Sequence, residues 1–208
     1  MSAPLLPPPW GTLPSPSIVD ALRDDDEIGD VVALSGAAAP DWLRTLSLPA
    51  GWQSLAVPSM PPAANQRPAR VAAFGPLGNG EWTAADTIGV TGFTGWPPFY
   101  DVIHNADRLL RILGCGHIVV KALPVPPFQW TAAVRSSGTV VVSNREVWIQ
   151  QSSYIAGSEQ PHASRLIVHT ILVESEMREQ LSDNISQLST DVYSGFVNAL
   201  DGGQRPAS

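Results

Sequence analysis

The sequence predicts one α+β domain, a mainly antiparallel sheet carrying a mid-chain helix and a long C-terminal amphipathic helix. Three observations lead there. From residue 41 onward, short apolar runs alternate with clusters of Pro, Gly and Ser, the pattern of strands joined by turns. Around 97–113 and 177–200, apolar residues instead recur every third or fourth position, the period of a helix with one buried stripe. The chain has 208 residues and is 44% hydrophobic, which suits one domain whose core needs no covalent staple.

Residues 1–40 read as an arm. Six of the twenty prolines fall in the first sixteen positions, followed by the acidic run Asp24 to Glu27 and a small-residue stretch at 35–39. Proline removes a backbone donor and extends its neighbour, so 1–16 should be extended or disordered, with one short helix near 18–23. The ordered domain is placed at 41–202 and a loose tail at 203–208. It opens with a strand over 43–48, a turn at Pro49-Ala50-Gly51 and a strand over 52–57. A loop over 58–68 leads to a strand at 70–74, a turn cluster at 75–80 and a strand at 86–92.

The first helix begins at Pro97 and Pro98, which fit a first turn where donors are not needed. Phe99, Val102, Ile103, Ala106, Leu109, Leu110 and Leu113 form its stripe, and Gly114 and Gly116 end it. A β-rich run at 117–123 stops at the prolines of 124–127. An antiparallel meander follows: a strand at 128–135, a Ser136-Ser137-Gly138 turn, a strand at 139–143, a connection at 144–146 and a strand at 147–155. After a polar loop at 157–163, residues 165–173 are apolar almost throughout, as in a central strand covered on both faces. The last helix carries Met177, Leu181, Ile185, Leu188, Val192, Phe196 and Leu200, with Ser175 as N-cap, Glu176 and Glu179 in its first turn and Gly202-Gly203 beyond its end.

Composition excludes several partners. The formal charge is −7 and the pI near 4.9; Lys121 is the sole lysine, and the eleven arginines are scattered. No basic stripe exists for nucleic acid or an anionic membrane. Cys115 is the only cysteine, so no intrachain disulfide and no cysteine zinc cluster can form, which favours a reducing compartment. The first thirty residues carry neither a signal-peptide pattern nor a lipidation cysteine, and no window approaches the ~18 apolar residues of a membrane span. The expected location is the cytoplasm, or export by a route that needs no signal.

Each candidate for chemistry has a simpler reading. Cys115 and His117 could be nucleophile and base or two metal ligands, but a cysteine in a glycine-flanked turn is more simply a small hydrophobe. His104 with Asp101 and Asp107 falls on the polar side of a helix, which is a solvated surface. His169, inside a strand, is more simply a histidine hydrogen-bonded to a neighbour than a base. No nucleophile elbow, zinc-protease helix, phosphate loop or dinucleotide fingerprint is present, and no cofactor or metal set is assigned. The glycines of 75–80 precede a strand, so they form a hairpin loop.

Two features suggest binding. Trp82, Phe93, Trp96, Phe99 and Tyr100, with Pro97 and Pro98, crowd a loop-to-helix junction that could line a groove or equally seal a sheet end. In the arm, Pro7-Pro8-Pro9-Trp10 could dock as an extended segment, or act as a spacer.

The segment Leu46-Ser47-Leu48-Pro49-Ala50-Gly51-Trp52, followed by strands, a helix, a meander and a long final helix, resembles the PsbP-like fold and, within it, the actinobacterial LpqN-type proteins. The resemblance spans about residues 42–200. It implies an α/β/α sandwich and a non-enzymatic binding or accessory role, and it supplies no catalytic residues. Many LpqN-type proteins carry a signal and a modified cysteine that this sequence lacks.

The sequence thus reads as a non-enzymatic adaptor of a bacterial cell that engages a protein or apolar ligand. The alternatives are a structural subunit forming a homo-oligomer, and a small hydrolase or transferase built from Cys115, His117 or His169.

Overall fold

A computed structural model of the protein describes residues 18–56, 68–75, 82–96, 99–127, 130–158 and 160–202. In chain order the elements are α1 (Ile18–Arg23), β1 (Gly29–Ala33), α2 (Asp41–Thr45), β2 (Trp52–Ser54), β3 (Pro68–Phe74) and β4 (Ala84–Thr94). Then come α3 (Phe99–His104), α4 (Arg108–Ile112), β5 (Gly116–Ala122), β6 (Thr131–Val142), β7 (Arg145–Ala156), β8 (Ser164–Glu174) and α5 (Ser182–Gly202). The strands form one antiparallel sheet in the order β2-β3-β4-β8-β7-β6-β5, with β1 also paired to β4.

Register decides which side chains meet. Ser143 and Asn144 both have positive φ, 50° and 64°, the geometry of a two-residue hairpin turn whose twist matches its strands, and Val142 faces Arg145 directly across it. Because successive side chains alternate faces, that register sends Val147, Ile149 and Ile155 to one side and Trp148, Gln150 and Tyr154 to the other. On the first side, Ala132, Val134, Ile155 and Leu166 pack with Ile18, Val19 and Leu22 of α1 and with Val102 and Ala106. Leu110 of α4 joins Val147 and Ile149. On the second, Ile171, Val173 and Trp148 meet Leu181, Ile185 and Leu188, while Ile88, Ala133 and Tyr154 meet Leu43, Val192 and Phe196. The result is the expected α/β/α sandwich with helices on both faces of the sheet.

Several local expectations need correction. Where a strand was expected over 43–48, α2 ends at Thr45 and 46–48 are irregular; Leu43 turns inward against α5's Val192 and Phe196, and so short an apolar run fits either period. Ser136-Ser137-Gly138 is no turn but the middle of β6. Ser136 Oγ donates to the Ala106 carbonyl at 2.8 Å, and a Cβ on Gly138 would stand 3.1 Å from Cys115 Cβ, so the glycine serves close approach. The mid-chain helix breaks into α3 and α4 at 105–107, where Asn105 Nδ2 donates to the Asp101 carbonyl and competes with the backbone. The final helix starts at Ser182 after a 3-10 turn at Ser175–Met177, and Ser175 Oγ is buried without a hydrogen-bond partner, so it is no N-cap.

The expected arm divides. Residues 1–17, including Pro7-Pro8-Pro9-Trp10, lie outside the described residues, as do 57–67, 76–81, the Pro97-Pro98 helix start, 128–129 and 203–208. Residues 18–40, by contrast, pack on the sheet. α1 is the short helix expected at 18–23, but its buried side is core, and β1 pairs with β4 at Val32 to Gly92.

Gly195 decides how α5 sits on α2. A glycine inside an exposed helix normally costs about 1 kcal/mol relative to alanine, so Gly195→Ala would be expected to stabilise. Here an added Cβ would overlap the Trp42 indole, which covers that glycine. Overpacking of this kind costs about 1–3 kcal/mol and outweighs the gain in helix propensity. Thermal unfolding should therefore show Gly195→Ala melting lower than wild type, and Trp42→Ala should remove most of that penalty in the double variant. An additive double variant would show that the indole does not set the cost.

Candidate functional site

A row of polar side chains crosses the sheet on the α5 side. Asp86 of β4 and His169 of β8 are fully buried, with His169 Nε2 2.5 Å from Asp86 Oδ1. Arg70 of β3 donates from Nη2 to the other carboxylate oxygen at 2.7 Å. Across the next strand pair Ser152 stands opposite His169, and Arg135 of β6 donates from Nε to Ser152 Oγ at 3.0 Å. One register position away, Gln150 Nε2 donates to Ser189 Oγ of α5 at 2.8 Å. The sheet register places all of these groups on one face, because each strand contributes residues of one parity.

Burial raises the Asp86 pKa, but the hydrogen bond to His169 and the attraction of His169 and Arg70 outweigh it and hold the carboxyl below its ordinary 3.8. Tyr154 moves the other way: burial pushes its phenol up, opposed by neighbouring Ser152 and Arg135. Asp86, His169 and Ser152 are the residue types of an acyl-transfer triad. They do not form one, because His169 Nδ1 is buried with no hydrogen-bond partner, Ser152 Oγ is taken by Arg135, and all three are sealed beneath α5. The unit ties β3, β4 and β8 together through charge-assisted bonds.

At the Arg135 end the row opens into a cleft of about 300 Å³ between α5 and strands β6 and β7. Arg135, Trp148, Gln150, Arg178, Ser182 and Ser186 line it. The Arg178 guanidinium lies over the Trp148 ring, 4.4 Å from its centroid. Lys121 of β5 stands directly opposite Arg135 in the sheet. No carboxylate lines the cleft, and neither arginine makes an ion pair among the described residues. Arg23, Arg44, Arg70, Arg111 and Arg145 do pair with acids, and Arg108 and Arg165, which also make no ion pair among the described residues, lie outside the cleft, so it is the presence of two such arginines in one cleft that sets it apart.

The residues singled out by sequence do not converge. Phe93 is fully buried core, and Trp82 is partly buried with its Nε1 unpartnered. Trp96 packs on Trp130 at 4.7 Å, Tyr100 is 71% exposed and stacks on His104 at 5.6 Å, and the Phe99 side chain lies outside the described positions. Cys115 joins the α4 cluster, where burial pushes its thiol up, and His117 is exposed with φ 52°. Cys115 and His169 occupy opposite faces of the sheet, so they cannot act together. Asp107 pairs with Arg111 at 2.8 Å, and Asp101 is exposed, so the helix around His104 is solvated surface. Among the described residues no group of three His, Cys, Asp or Glu could hold a metal. No described helix is long and apolar enough to cross a membrane.

Arg135, Trp148, Gln150 and Arg178 were not singled out in sequence. Their one signal is Trp148 and Gln150 sharing a face in an alternating strand; nothing local brings Arg178 to it.

No family model matches the chain, and no curated protein matches it. Among solved structures, it is similar to LpqN of Mycobacterium tuberculosis, described as involved in cell envelope biogenesis. The TM-score is 0.60 at 16% identity over 84% of this chain and 95% of that one. The protein therefore has an LpqN-like fold, as the Leu46 to Trp52 segment and the element order implied.

The depressed Asp86 pKa has a definite sign. Its stabilisation is present above the unfolded value near 3.8 and is lost as pH falls through the lower folded value. Asp86→Asn leaves Arg70 and His169 buried beside a neutral amide and should cost about 3–5 kcal/mol at neutral pH. In urea unfolding across pH, the gap between wild type and variant should be constant above pH about 4 and close below it. A gap of the same size under strongly acidic conditions would show that the ionised carboxylate is not what stabilises the unit.

Proposed function

We propose that this protein is a non-catalytic binding module whose site is the arginine-lined cleft between α5 and strands β6 and β7, and whose ligand carries an anionic group. The observation that carries the reading is that Arg135 and Arg178 line one cleft without a carboxylate, in a chain of formal charge −7 where five of the described arginines pair with acids. A guanidinium offers planar donors that match carboxylate or phosphate oxygens. Trp148 adds a flat apolar wall, and the hydroxyls of Ser182 and Ser186 add adaptable donors. The sequence pointed to a protein or an apolar ligand; the two guanidinium groups in the cleft favour a ligand that carries an anionic group. The LpqN-like fold supports an accessory role, and the neighbour's part in cell envelope biogenesis makes an envelope-related process the natural setting.

Titration with inorganic phosphate and pyrophosphate, followed through side-chain NMR signals of Arg135 and Gln150, tests the site. Both signals should move saturably for wild type, and Arg178→Ala should weaken binding by roughly tenfold or more, the worth of a hydrogen bond to a charged group. Arg178 is exposed, so the variant should unfold like wild type. Unchanged affinity in that variant would remove the cleft from consideration.

A protein partner has its own support in Trp130, which is 52% exposed and packs at a tilt against Trp96. If that pair is a docking surface, Trp130→Ala will abolish capture of a partner that Arg178→Ala still captures; capture equal in both variants would discard it.

A further inference from the structure

The sheet ends on β5, and among the described residues no strand pairs with its outer side. Val119 and Val120 are 61% and 42% exposed on opposite faces of that edge. Two of the seven large exposed hydrophobics among the described residues are thus neighbours on this one strand. An edge strand with free backbone donors and acceptors and apolar sides is a template for another strand. Lys121 is the one Asp, Glu, Lys or Arg within Gly116–Ala122, and the first proline comes only at Pro124. The opposite end of the sheet is β2, only three residues long.

We propose that β5 pairs antiparallel with β5 of a second copy about a two-fold axis through Val120, joining two sheets into one. Three arguments select a second copy and that register. The chain's charge of −7 opposes association through most of its surface, yet β5 contains no carboxylate, so two copies meet there without bringing acids together. In an antiparallel pair, facing residues share a sheet face, so a two-fold axis must pass through one residue that faces itself. Regular pairing of β5 with β6 runs over 119–122, with a register shift before Val119 and positive φ at His117.

An axis at Lys121 would set lysine against lysine. At Val119 it would engage the irregular turn at His117, and at Ala122 it would run into the prolines. At Val120 it places Val120 on the partner's Val120, Ile118 on the partner's Ala122 and Val119 on the partner's Lys121. Like charges never oppose, and the apolar sides continue across the junction. The proposal does not rest on the anion-site reading, although Lys121 stands beside the cleft's Arg135.

Sedimentation equilibrium from micromolar to millimolar concentration tests the proposal with wild type, Val119→Lys and Val119→Glu. Val119 is mostly exposed, so each variant should keep the wild-type melting curve. Wild type should dimerise. Val119→Lys faces the partner's Lys121 twice and should weaken the dimer by about tenfold or more, whereas Val119→Glu should retain it with added salt sensitivity. A wild type that stays monomeric at millimolar concentration overturns the interface, as does a Val119→Lys dimer of wild-type strength. Dissociation of Val119→Glu to the same degree as Val119→Lys overturns the Val120 register.

Discussion

Everything on the α5 side of the molecule depends on the parity of four long strands. β4, β8, β7 and β6 pair in register for ten residues or more, and a slip of one residue at any junction would turn a whole strand inside out. Asp86 makes that slip costly between β4 and β8. Its carboxylate is buried, and it stays ionised only while Arg70 and His169 arrive from the two flanking strands. Slippage would separate those partners and leave a buried charge alone. The polar unit is therefore a device of register, and the apolar layers around it supply the bulk of cohesion.

The same parity builds the cleft. With Asp86 and His169 inward, Ser152, Arg135 and Gln150 must share their face, and they reach the rim where α5 begins. Gln150 holds Ser189 of α5, and Trp148 lies beneath Arg178 just before it, so the helix is anchored by polar contacts near its start and by Val192 and Phe196 further along. A buried network centred on the ion-paired Asp86 thus leads to a cleft whose two arginines have no acid partner among the described residues. The fold brings two guanidinium groups without acid partners into one cleft of a negative molecule, which is what a site for an anion requires.

How much of this could be read from the sequence follows from what is local. The helical period of Leu188, Val192 and Phe196 and the strand character of 165–173 depend on neighbours in the chain, and both were legible. Residues 43–48 were misread because so short an apolar run suits either period. Gly138 looked like a turn because its real cause, the close approach of Cys115, lies in another element. Residues 18–40 looked like an arm because the prolines before them, the acidic run at 24–27 and the small residues at 35–39 outweighed Ile18, Val19 and Leu22, whose burial is decided by the sheet. The site was the least legible part. Aromatic density drew attention to Trp82 to Tyr100, where Phe93 proved to be core, while Arg135 and Arg178 are 43 positions apart in sequence and meet only through the fold.

The most direct measurement of the central claim is a crystal of the full chain soaked in tungstate, a heavy tetrahedral anion located by its anomalous signal. The account predicts a strong peak between the Arg135 and Arg178 guanidinium groups, lost in a crystal of Arg178→Ala. Anomalous peaks confined to other surfaces, with the cleft empty, would contradict it.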